Sequence, residues 1–191
     1  MNIKKIKWIA PLLLTLSLLA PAQMDKLSQP ATQPTTSQVL DAWIGNTESH
    51  LVPVAEAMPE DKYSFAPSNG EFKNVRTFGE QLKHLAANNY RQAAVILGEK
   101  PTTEQVNEQG PDSVKTKAEL VDYLKGSFSA LHKAVATIDA RNQLEPMNGT
   151  SGTWQRARLG LAIDAVAHSF NHYGQLVEYL RMNGIVPPDS R

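Results

Sequence analysis

Residues 155–183, QRARLGLAIDAVAHSFNHYGQLVEYLRMN, carry apolar side chains at the spacing of an α-helix. Gly184 and the pair Pro187-Pro188 follow at once and end such a helix. At 1.5 Å per residue the helix would be roughly 40 Å long. Its central part is apolar nearly all round, so we expect it to be the most buried helix of the fold.

Three further segments show helical periodicity, over about 37–58, over 75–97 and from residue 116 onward. The last opens with TKAE at 116–119, a capping box in which each end satisfies a free backbone N–H of the other. Pro53 inside the first segment predicts a kink or an early end. No segment alternates as a strand does, so the sequence predicts an all-α four-helix bundle. The predicted core stripes are Leu40, Trp43, Ile44, Thr47, Leu51, Val54 and Met58, then Phe78, Leu82, Leu85, Asn89, Ala93 and Ile96, then Leu120, Leu124, Ser127, Phe128, Leu131, Val135 and Ile138.

The N-terminus has the pattern of a secretory signal peptide. Three lysines among the first seven residues precede an apolar run over 8–19, and Ala20-Pro21-Ala22 offers the small residues that signal peptidase needs. A retained membrane anchor is the alternative, but the run is well short of the ~20 residues that span a bilayer. We therefore expect a signal peptide over 1–22 cleaved after Ala22, a flexible linker over 23–35 and a bundle domain over 36–191. The protein would be exported, periplasmic or secreted, with no permanent membrane anchor after cleavage.

Charge and composition narrow the classes of partner and site. The full chain has 19 basic and 19 acidic side chains; cleavage would remove three lysines and leave a net charge of −3. A mildly acidic protein lacks the basic surface that nucleic-acid binding needs, so no nucleic-acid partner is expected. The chain has no cysteine, so any metal must be bound by histidine or carboxylate.

His168 and His172 form the sharpest local motif. Their i, i+4 spacing puts both imidazoles on one helix face, ~5–6 Å apart at Cβ, from where both can reach one ion. Asp164, Gln175 and Tyr179 share that face and are expected to orient the rings or line a pocket. A chance pair is the alternative, since the glutamate of the HExxH zinc motif is missing. Buried polar groups on an apolar helix need partners, and this favours a metal.

Three other histidines are candidates for a third ligand. His132 lies off the centre of its stripe and is interpreted as a surface residue. His50 lies on the inward edge of the first segment, either lining a pocket or packed as a hydrogen-bonded core histidine. His84 shares a polar face with Gln81 and Asn88, and by periodicity that face could simply be solvated. Helical spacing alone therefore does not select the third ligand.

Two stretches resemble a known family. MPEDKYSFAPSNGEFKNVRTFGEQLKHLAANNY, residues 58–90, is similar to the helix 1–helix 2 region of the DinB-like (DinB/YfiT-type) superfamily. HSFNHYGQLVEYLRMNGIVPPDS, residues 168–190, resembles its closing signature, an HxxxH followed by GQ, YLR and a glycine. The resemblance implies a four-helix bundle with up-down-down-up topology, in which residues 98–115 supply the long helix 2–3 connection.

The resemblance also implies a metal site and suggests a chemistry. The metal triad of the family, one histidine from helix 2 and an HxxxH from helix 4, falls here on His84, His168 and His172. Three imidazoles suit a divalent ion such as Zn, Ni, Fe, Mn or Cu and leave a coordination position open. Relatives include thiol-dependent transferases and isomerases, which implies a metal-dependent hydrolase or thiol-dependent transferase, with Asp164 or Tyr173 handling protons. The alternatives are a non-catalytic metal- or ligand-binding module of the cell envelope, and a bundle in which the site is vestigial. A small-molecule substrate or ligand and a homodimer are the partners that the family suggests.

Overall fold

A computed structural model describes residues 33–68, 75–147 and 157–191. The predicted signal peptide and all but the last residues of the predicted linker lie outside these ranges. Within them the chain forms five α-helices and no strand, which confirms the all-α class. The helices are α1 (Thr36–Ala57), α2 (Phe78–Ile96), α3 (Thr103–Val106), α4 (Lys117–Val135) and α5 (Arg158–Met182), with 3-10 turns at Glu60–Lys62 and Pro188–Ser190. None of the described helices combines the length and the apolar character needed to cross a membrane.

Threonine capping boxes start four of the five helices. The predicted box at Thr116 and Glu119 is present, and the same reciprocal hydrogen bonds begin α1, α2 and α3 at Thr35, Thr77 and Thr102. Each box satisfies backbone N–H groups that the first turn of a helix leaves free. The starts of these helices are therefore encoded locally.

Of the two outcomes predicted at Pro53, a kink or an early end of the helix, the early end is wrong, because α1 continues to Ala57. Proline removes one backbone hydrogen bond from the helix. The side chains on either side of it, Leu51, Val54 and Ala55, are fully buried in the core. Their packing holds the segment helical across the missing bond.

The helices pack so that α2 lies against both α4 and α5, and α1 also contacts α4 and α5. The Nδ2 atom of Asn89 on α2 donates to Ser127 Oγ on α4 at 3.3 Å, and Gly79 lies against Leu120. The start of α2 therefore lies against the start of α4, and the two helices run in the same direction. A short connection would place α4 antiparallel to α2. The long connection over 97–116, which contains α3, lets the chain return so that the two helices run parallel.

The pairing of α2 with α5 is antiparallel. Near the start of α2, Gln81 Nε2 donates to Gln175 Oε1 at 3.0 Å, and near its end Gln92 Nε2 donates to Asp164 Oδ2 at 2.9 Å. The middle of α2 is thereby placed opposite the middle of α5. His84 consequently lies at the level of the HxxxH pair.

The most buried helix is α2 and not α5, so that expectation is wrong. Among described residues, twelve of the 19 in α2 are buried against nine of the 25 in α5. The helix α2 packs against α3, α4 and α5, whereas α5 packs against α1 and α2. Ile163 on α5 is 53% exposed, and Trp43 of the predicted α1 stripe is 52% exposed. An apolar residue on a helix with fewer neighbours can remain at the surface.

Candidate metal centre

Three histidines from α2 and α5 converge between these helices. The Nε2 atoms of His84 and His168 are 3.3 Å apart, and those of His168 and His172 are 3.1 Å apart. All three available ligand atoms lie within 4.8 Å of one another. Two nitrogens bound to one ion at ~2.0–2.1 Å and near a tetrahedral angle are ~3.3–3.4 Å apart. The donor set therefore fits a divalent ion.

The polar face of α2 forms this site because it packs on the polar strip of α5. Gln81 is only 2% exposed, and Asn88 contacts His168. The solvated alternative for the His84 face is therefore wrong. Burying polar groups is favourable only when they find partners, and α5 supplies them at the matching level.

Two of the imidazoles are fixed with their Nε2 lone pairs directed into the cluster. The Nδ1–H of His84 donates to the backbone carbonyl of Glu108 at 2.8 Å. The Nδ1–H of His172 donates to Gln81 Oε1 at 2.5 Å, and Gln81 is held in turn by Gln175. Hydrogen bonds of this kind set the tautomer and the orientation of a metal-binding histidine.

His168 has a different partner at its second nitrogen. Arg91 donates to Asn88 Oδ1 at 2.5 Å, so the Asn88 amide N–H donates to His168 Nδ1 at 2.9 Å. The proton of a neutral His168 then lies on Nε2, where it is shared with the other two Nε2 atoms. His168 could hold an ion through Nε2 only in the other tautomer, with the proton moved to Nδ1. A half-turn of the Asn88 amide would present its oxygen to that proton and would give up the hydrogen bond from Arg91.

The electrostatics keep the three rings neutral. Desolvation on burial lowers the pKa of His168 to about 4 and that of His172 to about 3, and the neighbouring imidazoles and Arg76 add to the effect. Burial also lowers the pKa of His84. Neutral imidazoles are the form that can bind a metal ion, so none of the three rings has to lose a positive charge first at pH 7.

The connection between α2 and α4 is fitted closely against α2. Gly110 has a positive φ of 68°, and a Cβ there would lie 2.6 Å from Lys83 Cγ. Asn107 Nδ2 donates to the Gly110 carbonyl at 2.8 Å and closes the turn that contains Glu108. A glycine is needed at 110 for both the backbone conformation and the close approach. The carbonyl that holds His84 is thereby placed.

Two of the residues predicted to orient the rings or line a pocket lie near the triad without joining it. Asp164 accepts a hydrogen bond from Gln92, and Gln175 acts through Gln81. Tyr179, the third, donates to the Arg76 carbonyl at 3.1 Å and so holds the segment before α2. In the described part of the chain, no carboxylate completes the group of three histidines.

His50 lies in a separate cluster. Its Nδ1 bonds the Asn46 carbonyl at 2.6 Å, and its ring packs against Phe170 and Tyr173. Its Nε2 is 3.6 Å from Asp189, which also accepts a hydrogen bond from Tyr173. The structure thus places His50 and Tyr173 with the C-terminal turn and away from the three histidines.

His132 is the fifth histidine and pairs with acidic residues at the surface. Its two ring nitrogens contact Asp41 at 2.5 Å and Glu48 at 3.3 Å, both on α1. The ring is partly exposed. The interpretation of His132 as a surface residue outside the site agrees with this placement.

Sequence reasoning missed Glu108 and Arg76. Glu108 acts through its backbone carbonyl, which any residue type would supply, so no residue pattern marks it. Arg76 precedes the N-cap of α2, outside the periodic part of the segment. Gln81 and Asn88 could have been identified from the sequence, because they share a helix face with His84.

Comparison with known proteins places the chain in a family. No curated protein matches the sequence. A family model described as the DinB superfamily matches residues 44–176, which is more than half of the chain and includes all three clustered histidines. This confirms the family resemblance; the match includes all of residues 58–90 and the HxxxH pair of the closing stretch. The chain belongs to the DinB superfamily.

Proposed function

We propose that the protein binds one divalent metal ion through His84, His168 and His172 and uses it to activate water or a thiol against a small molecule. The observation that carries the proposal is the convergence of the three histidines: Nε2 of His168 lies 3.3 Å from that of His84 and 3.1 Å from that of His172, and the ligand atoms all lie within 4.8 Å of one another. Three protein ligands are typical of catalytic sites, in which a further position stays open. When bound, the ion would supply Lewis-acid chemistry, polarising an oxygen or lowering the pKa of a ligated water or thiol.

The residues of the chain hold and orient the ligands. Glu108 and Gln81 fix two of the rings. His172 is buried, whereas His84 and His168 are only partly buried. No Asp or Glu joins the triad within the ranges that the structure describes. A neighbouring carboxylate base is therefore not available at ligand distance, which favours activation of the nucleophile by the ion itself.

Metal analysis and a reaction panel together test this function. The purified protein should hold about one ion per chain, removable by a chelator, as a single three-ligand site predicts. The metal-loaded protein should turn over members of a panel of esters and of thiol acceptors, and the chelated protein should not. Full metal loading without turnover would favour the non-catalytic binding module. A protein that takes up no Zn, Ni, Fe, Mn or Cu would contradict the proposal.

Replacing Gln81 with Ala is expected to weaken metal binding by about 10- to 100-fold, the usual cost of losing a group that orients a ligand. The reason is that His172 loses its Nδ1 acceptor. A competition titration with a chromophoric chelator measures the change. Gln92→Ala is the matched control, because Gln92 is equally buried on α2 but donates to Asp164. Equal metal affinities in the two variants would contradict the role of Gln81.

We also propose that the protein is exported, on the strength of the basic, apolar and small-residue pattern over 1–22. The protein recovered from an extracytoplasmic fraction should then begin at Gln23. N-terminal sequencing together with cell fractionation measures this. Cytoplasmic protein that retains Met1 would contradict the proposal.

A further inference from the structure

Arg76 brings an additional positive charge to the triad. It lies directly before the N-cap of α2, and its Nη2 is 3.8 Å from the Glu108 carboxylate. The backbone carbonyl of the same Glu108 accepts the hydrogen bond from His84. One residue of the connection therefore contacts both the arginine and a metal ligand. The charge of Arg76 also contributes to the lowered pKa of all three histidines.

The guanidinium of Arg76 is poorly compensated. A separation of 3.8 Å exceeds the length of a hydrogen bond, and the Glu108 side chain is 78% exposed, so this ion pair is weak. The Nε–H of Arg76 is buried and has no acceptor among the described residues. A charged donor without a partner is costly, and turning the partly exposed guanidinium toward a ligand oxygen would relieve that cost.

The position of Arg76 is nevertheless fixed by its backbone. Tyr179 on α5 donates to the Arg76 carbonyl at 3.1 Å, and the Tyr179 ring packs against Phe65. The next residue, Thr77, is the N-cap of α2. The backbone of Arg76 is thus held by Tyr179 and by the start of α2. An arginine with a fixed backbone can present its planar donors to a ligand at low conformational cost.

The charges around the site favour an anionic ligand. The positive charge of Arg91 also lowers the pKa of His84 and of His168. The Arg91 guanidinium, however, already donates a hydrogen bond to Asn88. A divalent ion beside Arg76 and Arg91 would add to this positive potential, with the exposed Glu108 carboxylate opposing it. An anion near Arg76 would be attracted by the ion and by both arginines.

We propose that Arg76 binds the carboxylate of the small-molecule substrate or ligand that occupies the metal site. This inference rests on the proposed function and names its substrate class. The guanidinium fork matches a planar carboxylate through two parallel hydrogen bonds. The Glu108 side chain is the internal carboxylate that faces Arg76 in the ligand-free protein, and an incoming carboxylate takes its place. The Glu108 carbonyl stays on His84 throughout.

The inference is tested by measuring the affinity of the zinc-loaded protein for succinate with isothermal titration calorimetry. Arg76→Gln should weaken binding by about 10- to 100-fold, the usual loss for hydrogen bonds to a charged group. Arg76→Lys keeps the charge but loses the fork and should restore only part of the affinity. Glu108→Gln should strengthen binding severalfold, because it removes the competing internal carboxylate and leaves the backbone carbonyl in place.

Arg181→Gln is the control for loss of a positive charge, since the Arg181 guanidinium is paired with Glu178 on the same helix and contacts none of the three histidines. It should change succinate affinity much less than Arg76→Gln does. Zinc affinity and thermal unfolding are measured for every variant, so a failure to bind zinc counts against the proposed function and not against Arg76. Succinate binding that is absent in the wild type, or equal in wild type, Arg76→Gln and Glu108→Gln, would overturn the inference.

Discussion

Replacing His172 with Ala is expected to reduce the metal content of the purified protein from about one ion per chain to background. His172 is 6% exposed, its Nε2 lies 3.1 Å from that of His168, and its Nδ1 is fixed by Gln81. The loss should exceed the roughly 10- to 100-fold change expected when only an orienting group is removed. Elemental analysis after dialysis, with a competition titration for the affinity, measures it.

His132→Ala is the matched control for this experiment. It removes the same side chain from the same chain, but at a site paired with Asp41 and Glu48 and outside the triad. Its metal content should equal that of the wild type. The helical circular-dichroism spectrum of both variants shows whether the bundle persists. Equal metal retention by His132→Ala and His172→Ala would contradict the three-histidine site.

The metal-free protein is expected to lose stability as the pH falls from about 6.5 toward 4. An unfolded histidine has a pKa of about 6.5. In the folded chain burial lowers the pKa of His168 to about 4 and that of His172 to about 3. Between these values the unfolded chain binds more protons than the folded one, so acid favours unfolding. Above about pH 6.5 the two residues add no pH dependence.

The slope approaches about 1.4 kcal/mol per pH unit for each histidine, so the two together change stability by several kcal/mol. Urea unfolding of the chelated protein at a series of pH values from 7.5 to about 4.5 measures this change. A double variant with His168→Gln and His172→Gln is the control, since neither glutamine titrates. Identical pH slopes in the two proteins would contradict the burial of neutral histidines.

Helical periodicity predicted the four long helices, and the capping pattern placed the start of α4. The short helix α3 was missed, because four residues, Thr103–Val106, are too few to show a period. The burial predicted for Trp43 and for the whole circumference of α5 was wrong for a different reason. Periodicity shows which face of a helix is apolar, but not how many neighbours will cover it. In this bundle α5 meets fewer helices than α2 does.

The site was only partly visible in the sequence. The spacing of His168 and His172 identified them, because both lie on one helix. His84 lies on a polar face that looks the same whether it meets water or the polar strip of another helix. Only the packing of α2 against α5, implied by the family resemblance, distinguishes the two. Glu108 contributes a backbone atom, which leaves no trace in residue type.

Connections between helices normally accept insertions and deletions freely, because they run over the surface. Here the turn from Asn107 to Gly110 is seated on Lys83, and it carries the carbonyl that orients His84. A change of length at α3 can be absorbed without disturbing that carbonyl, whereas a deletion inside the turn would withdraw it. Among relatives that keep the three histidines, length variation in this connection should therefore fall around α3 and spare the four residues of the turn.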